Sequence, residues 1–214
     1  DRLFPKRYLK GSWFIWFSSL LKGFPYITKE YRFMSNIKVM FLCPNPRDMS
    51  LIPPVVALFY SIFTKHGIEM RFFDTTFYDV SSTYANANEY DKESLNVKQY
   101  SEPNESQAVF SKSRDQLFND FRREMEDFQP DVLMVSAMEA TIYFSREMLQ
   151  SVRDLRVPTV LGGVFATYAS RLALSYDEID MVCVGEAEDV IVPLVKRIKA
   201  GERVDDLPGM CVHD

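Results

Sequence analysis

Small residues stand at the ends of three apolar runs in the second half of the chain. Ser136 ends the first run, and the pair Gly162 and Gly163 ends the second. The third run ends in Gly185, which is followed by Glu186. Glycine lets a ligand come close to the backbone because it has no Cβ. The spacing therefore predicts a slot in which a flat or elongated ligand lies against bare backbone.

Each of these residues also has an ordinary structural interpretation. A Gly-Gly pair after a strand can simply be turn chemistry, and a lone serine hydroxyl often bonds within its own fold. Glu186 and Glu188 can favour the start of a following helix through the helix dipole. From the residues alone, both interpretations stay open.

The sequence contains no self-contained catalytic constellation. Its two histidines are His66, placed to end a helix, and His213, and neither belongs to a Ser-His-Asp or HExxH grouping. The phosphate-binding patterns GxxxxGK[ST] and GxGxxG are absent. The scattered cysteines Cys43, Cys183 and Cys211 form no CxxC, which argues against a disulfide framework or a cysteine-based metal site. This cysteine usage favours a reducing cytoplasm.

Strand-like and helix-like segments alternate along the chain and would position the strand ends. The runs that predict strands are nearly continuous in apolar residues, as in a parallel sheet covered on both faces. We predict an α/β fold, a flavodoxin-like (Rossmann-like) doubly wound five-stranded parallel sheet in the order 2-1-3-4-5. Such sheets bind ligands beyond the carboxyl ends of their strands. The predicted strands are 37–43, 68–74, 130–137, 158–164 and 180–185, and the predicted helices are 53–66, 114–128, 142–155, 169–177 and 188–201.

Two segments differ from this alternation. Residues 1–36 are aromatic and carry a net charge of +5, whereas the whole chain carries −5. Their apolar core is shorter than the roughly 20 residues of a membrane-spanning helix. We therefore predict an N-terminal helical extension that packs on a domain or contacts a membrane surface. Residues 37–214 are predicted to form the main domain, which contains a long polar insertion at 78–113. The acidic total argues against a nucleic-acid partner.

The order of these features resembles a known family. The stretches "FQPDVLMVSAMEATIYFSREML", "VPTVLGGVFATYAS" and "IDMVCVGEAEDVIVPLVKRIKAGERVDDLPGM" bring a strand-end serine, a Gly-Gly pair, GE-x-E and D-L-P-G in sequence. This order is similar to the N-terminal cobalamin-binding domain of cobalamin-dependent radical S-adenosylmethionine enzymes. The similarity spans about residues 37–210.

The resemblance implies that base-off cobalamin lies at the carboxyl edge of the sheet. The loop at 44–52 would lie under the corrin ring, and Gly185 and Glu186 would close the far side of the site. The nucleotide tail would thread beside the third and fourth strands. Carried over, the cofactor-binding residues are Asn45, Pro46, Ser136, Ala137, Met138, Glu139, Gly162, Gly163, Val164, Gly185 and Glu186.

Two departures from related patterns matter. The loop after the first strand reads "CPNPRDMSLIPP" and lacks the histidine of the DxHxxG sequence that coordinates cobalt in corrinoid methyltransferases and mutases. This implies a histidine-free lower face of the cobalamin, or a family member that has lost the cofactor. The CxxxCxxC that holds a [4Fe-4S] cluster is also absent. The resemblance therefore implies a radical domain beyond residue 214, with S-adenosylmethionine and the cluster bound there.

On this interpretation, the segment alone is not an enzyme, and its parent is a methyltransferase-like radical enzyme. Two other classes of protein stay open. One is a non-catalytic corrinoid or nucleotide sensor module of the same fold, and the other is the nucleotide-sugar-binding half of a two-domain transferase.

Overall fold

The computed structural model describes residues 37–45, 53–78, 80 and 112–213. The predicted extension 1–36, Pro46 and most of the insertion 78–113 lie outside the described residues.

A six-stranded sheet forms the centre of the domain, in the order β2-β1-β3-β4-β5-β6. The first five strands in this order are parallel, and β6 pairs antiparallel with β5. The predicted α/β fold is confirmed, but the predicted count of five strands is wrong because β6 was missed. The strands are β1 (Lys38–Cys43), β2 (Glu69–Asp74), β3 (Val132–Ser136), β4 (Thr159–Gly162), β5 (Met181–Cys183) and β6 (Met210–Val212).

In the part of the chain that the structure describes, six α-helices lie between these strands, and local sequence accounts for several of their ends. Pro54 occupies the first turn of α1, where proline is tolerated. Ser113 and Gln116 form a capping box at the start of α2. Gly201, with a φ of 69°, ends α6. The helices are α1 (Pro54–Lys65), α2 (Arg114–Phe128), α3 (Ile142–Ser151), α4 (Val164–Tyr168), α5 (Ser170–Leu174) and α6 (Ile191–Ala200), and a 3-10 turn follows α3 at Arg153–Leu155.

The segment after β4 differs from the prediction. Val164 was predicted to end the fourth strand, with a helix from residue 169, but the strand ends at Gly162 and Val164 begins α4. The apolar residues of "VFAT" resemble a strand continuation, and only the positive φ of Gly163 turns the chain into a helix.

Helices cover both faces of the sheet, so the doubly wound arrangement is confirmed. Because successive side chains of a strand point to opposite faces, each strand contributes to two cores. One core lies under α1 and α6, and the other lies under α2, α3, α4 and α5. The α1/α6 core includes Phe41, Phe59, Phe63, Met134, Val160, Ile191 and Leu194, and the opposite core includes Leu42, Phe121, Leu133, Val135, Phe144, Met148 and Leu161.

A tight turn at Leu207–Met210 brings β6 back beside β5. The N–H of Met210 donates to the carbonyl of Leu207 at 3.1 Å, and Gly209 has a φ of 73°. A Cβ on Gly209 would stand 2.5 Å from the carbonyl oxygen of Val184. The Pro-Gly sequence of this turn therefore has a defined structural purpose, since proline suits its second position and only glycine suits its third.

Among the described residues, each helix falls short of the length and apolar character needed to cross a bilayer.

Candidate functional site

The parallel register brings the carboxyl ends of the central strands to one edge. Cys43 of β1 pairs with Asp74 of β2, and Ser136 of β3 pairs with Gly162 of β4. By the alternation of side chains, Ser136 and Gly162 lie on the same face as Met134 and Val160, which belong to the α1/α6 core. Two small residues thus stand side by side at the carboxyl end of this face. Bulky side chains cover the same face towards the amino ends of the strands.

A cavity of about 400 Å³ occupies this position. Phe41, Met134 and Val160 form its floor, and Val55 and Phe59 of α1 form one wall. The ends of β3, β4 and β5, and the residues that follow β4 and β5, form the remainder of its lining. Of the eleven predicted cofactor-binding residues, six line this slot: Ser136, Gly162, Gly163, Val164, Gly185 and Glu186.

The two adjacent glycines have different reasons to be glycine. A Cβ on Gly162 would meet the carbonyl oxygen of Val135 at 3.9 Å, an ordinary contact distance, so this position is open. A Cβ on Gly163 would stand 2.8 Å from the carbonyl oxygen and 2.9 Å from the nitrogen of Ala137. Gly163 also has a φ of 91° and a ψ of −172°, a region that glycine alone adopts readily. Gly163 is therefore required by the turn, whereas Gly162 leaves space in the slot.

Three of the predicted residues after β3 do not line the slot. Ala137 is buried beneath Gly163, where its N–H donates to the Gly162 carbonyl and its own carbonyl accepts from Phe165. Met138 and Glu139 are exposed in the turn before α3, and the N–H of Met138 donates to the Thr141 hydroxyl at 2.9 Å. Ala137 thus supports the slot from behind, and the other two lie outside it.

Asn45 lies away from the slot and joins the ends of β1 and β2. Its backbone N–H donates to the Thr75 hydroxyl at 2.7 Å, and that hydroxyl donates to the Asn45 carbonyl at 2.9 Å. Its side-chain amide donates to the Thr76 hydroxyl at 3.0 Å. These bonds hold the start of the loop at 44–52, of which the structure describes only the first two residues.

Thr167 is among the lining residues that the sequence analysis did not predict. Its hydroxyl donates to the carbonyl of Gly163, and the N–H of Gly185 donates to the same hydroxyl, both at 3.2 Å. A threonine four residues after a helix-starting glycine can reach that glycine's carbonyl, but the helix itself had been missed.

Two buried cysteines, Cys43 and Cys183, end β1 and β5. Burial, and secondarily the charge of Asp74, raises the pKa of the Cys43 thiol to about 11. Burial also raises the pKa of Cys183, which lines the slot, with smaller contributions from Cys211 and Glu188. Both thiols are therefore neutral near pH 7 and act as small apolar groups. The described residues include no group of three or more potential metal-ligating side chains.

Both histidines of the chain lie at the opposite, amino edge of the sheet. His66 ends α1 just before β2 begins, and the Nε2 of His213 lies 3.0 Å from the carbonyl of Ile179, two residues before β5. The slot therefore has no imidazole beside it.

A comparison with known protein families covers the strands that form the slot. Residues 105–195 match the model of the B12 binding domain family. The predicted family resemblance is confirmed. This B12 binding-domain match contains β3, β4 and β5, and with them all six predicted residues that line the slot.

One relative of known activity aligns with only part of this chain. Over 80 residues the chain is 36% identical to an anaerobic magnesium-protoporphyrin IX monomethyl ester cyclase of Cereibacter sphaeroides. That alignment covers 36% of this chain and 13% of the cyclase. The chain thus matches a small part of a longer protein.

Solved structures share the fold. Two structures of the radical S-adenosylmethionine methyltransferase TsrM from Kitasatospora setae superpose with TM-scores of 0.59 and 0.58 at 17% identity, covering 83% and 84% of this chain. The cobalamin-dependent S-adenosylmethionine radical enzyme OxsB superposes with a TM-score of 0.54 at 12% identity over 83% of this chain. The matched regions are 28%, 29% and 21% of those chains.

Proposed function

We propose that the domain at 37–214 binds cobalamin at the carboxyl edge of its sheet, as one part of a longer radical S-adenosylmethionine enzyme. The observation that carries this proposal is the slot beside Ser136 and Gly162, which lies within the B12 binding-domain match. In the proposal, the nucleotide tail of base-off cobalamin occupies the slot.

The slot suits a flat, largely apolar group with a polar linker. Its volume of about 400 Å³ falls in the range of small-ligand pockets, roughly 300–1,000 Å³. Phe59 and Met134 offer apolar surface for an aromatic base, and the Ser136 hydroxyl offers a hydrogen-bond partner. Because Gly162 has no side chain, a ligand can lie directly against the ends of β3 and β4.

The position of the histidines supports cobalamin held without an imidazole on its cobalt. Neither His66 nor His213 can reach the carboxyl edge, since both stand at the other end of the sheet. When bound, the corrinoid would supply a cobalt–carbon bond for methyl transfer or related radical chemistry. The contribution of this chain would be to hold and orient the cofactor.

The [4Fe-4S] cluster and S-adenosylmethionine belong, in this proposal, to a radical domain elsewhere in the same polypeptide. The extension 1–36 and the insertion 78–113 would then contact that domain or the substrate. The complete gene tests this part: a CxxxCxxC sequence in it supports the radical enzyme. A complete gene without such a sequence favours the sensor module instead.

Titration of the 214-residue chain with hydroxocobalamin, followed by absorbance and calorimetry, tests the binding proposal. We expect saturable binding with the spectrum of the base-off form. Gly162→Leu should weaken binding at least about tenfold, because its side chain projects into the slot without straining the backbone. Ala200→Leu, at the exposed end of α6, adds similar bulk away from the slot and serves as the control.

Either of two results would overturn the binding proposal. One is an absence of cobalamin binding by the folded wild-type chain and by the full-length protein. The other is equal affinity of the wild type and Gly162→Leu, which would place the cofactor outside this slot.

A further inference from the structure

The ladder of hydrogen bonds between β4 and β5 stops before the two strands reach the slot. The last paired residues are Leu161 and Val182, whereas β3 and β4 stay paired as far as Ser136 and Gly162. On its other side, β5 continues along β6, where the N–H of Val184 donates to the carbonyl of Gly209 at 2.8 Å. The gap at the carboxyl edge therefore lies between β4 and β5.

The Thr167 hydroxyl spans this gap. It donates to the carbonyl of Gly163, which follows β4, and accepts the N–H of Gly185, which follows β5. Both glycines have a positive φ, of 91° and 81°, so each stands at a turn where the chain leaves its strand. One side chain thus bridges the two segments beyond the last backbone hydrogen bonds between β4 and β5. Gly163, Thr167 and Gly185 all line the slot.

The Thr167 bond is one tie across this gap, beside the contacts that α4 and α5 make with β5. The space beside the α-carbon of Gly185 is open, because a Cβ built there would meet nothing within 4 Å. Gly163, in contrast, is tightly packed against the backbone of Ala137. The bond from Thr167 therefore connects a residue packed closely against the backbone of Ala137 to one with open space beside its α-carbon.

We propose that Thr167 is a positioning residue that sets the width of the slot by tying Gly185 to Gly163. The proposal rests on the proposed function for the identity of the ligand, but the brace itself is a property of the ligand-free chain. Removal of the hydroxyl should release Gly185 and the residues that follow it, Glu186 to Glu188. The ligand would then have to order this wall on binding, and its affinity would fall.

Three variants separate the hydroxyl from other effects of the side chain. Thr167→Val keeps the shape and removes the hydroxyl, and Thr167→Ser keeps the hydroxyl and removes the methyl group. Ser175→Ala is the control, because it deletes an exposed hydroxyl that donates to the Leu172 carbonyl at 2.7 Å, outside the slot.

The first measurement is hydrogen exchange of the Gly185 amide by NMR, without any ligand. Thr167→Val should speed this exchange about fivefold, the effect of one ordinary hydrogen bond, whereas Thr167→Ser and Ser175→Ala should not. Unchanged exchange in Thr167→Val would overturn the proposal whatever the chain binds.

The second measurement is the affinity for hydroxocobalamin. We expect Thr167→Val to bind about fivefold more weakly, Thr167→Ser to restore the affinity to within about twofold, and Ser175→Ala to match the wild type. A loss of affinity in Thr167→Ser without a loss in Thr167→Val would overturn the proposal, because it would assign the effect to the methyl group. If the wild type binds no cobalamin but exchange responds as expected, the brace stands and the proposed ligand falls.

Discussion

The backbone of Ala137 lies against the α-carbon of Gly163, so that a Cβ there would stand 2.8 Å from the Ala137 carbonyl oxygen. This contact joins the turn after β3 to the turn after β4. The N–H of Phe165 donates to the same carbonyl at 3.1 Å and thereby holds the start of α4. Gly163, on one side of this contact, lines the slot, and Ala137 supports it from behind.

Gly163→Ala should destabilise the fold, whereas Gly162→Ala should not. At Gly163 the new Cβ would contact the backbone closely at a φ of 91°, a combination that costs at least about 2 kcal/mol. At Gly162 there is room, and loss of glycine's freedom in the unfolded chain should leave stability unchanged or raise it by up to about 1 kcal/mol. Urea denaturation of the two variants measures both values. Equal effects would contradict the separate roles assigned to the two glycines.

Gly209→Ala should cost more than Gly201→Ala, although both glycines have a positive φ. At Gly201 a Cβ meets nothing within 4 Å, so only backbone strain of about 1 kcal/mol is expected. At Gly209 the Cβ would also stand 2.5 Å from the Val184 carbonyl, which should bring the total to about 2–3 kcal/mol. Thermal or urea unfolding distinguishes the two variants. Similar losses would show that β6 shifts freely and does not depend on this contact.

Arg146→Met should destabilise the protein far more than Arg153→Met. Arg146 pairs with Glu178, whose side chain is only 4% exposed, and its guanidinium lies 3.7 Å from the centre of the Tyr176 ring. Removal of the cation would leave a buried carboxylate without its ion pair, at a cost of about 2–4 kcal/mol. Arg153 and Asp180 form a more exposed pair, for which at most about 1 kcal/mol is expected. Free energies of unfolding at pH 7 give the comparison, and equal losses would argue against the importance of burial.

The stability that Cys43 contributes should decrease at alkaline pH. Burial first, and the charge of Asp74 second, raises the pKa of this thiol from 9.0 to about 11. Between these values the unfolded chain releases the proton while the folded chain retains it, so the contribution is complete below pH 9 and is lost as pH rises to about 11. The difference in unfolding free energy between the wild type and Cys43→Ala should therefore narrow by about 2 kcal/mol from pH 8 to pH 11. A constant difference across this range would contradict the burial of the thiol.

The sequence by itself determined the class of fold, because the decisive patterns are local. Apolar runs such as 37–43 are long enough to show that both faces of a strand are buried, and α2 was predicted at 114–128 because its apolar residues recur on one helical face. The same runs located the ends of these strands to within two residues, and with them Ser136, Gly162 and Gly185. For these features, composition and spacing along a short segment are sufficient.

Only the tertiary structure decided which of these residues share a site. β6 has three residues, too few for a periodic pattern, and its place depends on pairing with β5. Asn45 was predicted in the site, but its hydrogen bonds to Thr75 and Thr76 commit it to the joint between β1 and β2. Thr167 belongs to the site because its hydroxyl bonds to both Gly163 and Gly185. These residues follow β4 and β5 and are 22 residues apart in sequence. Such contacts depend on the register and twist of the whole sheet, which residue types in one segment do not encode.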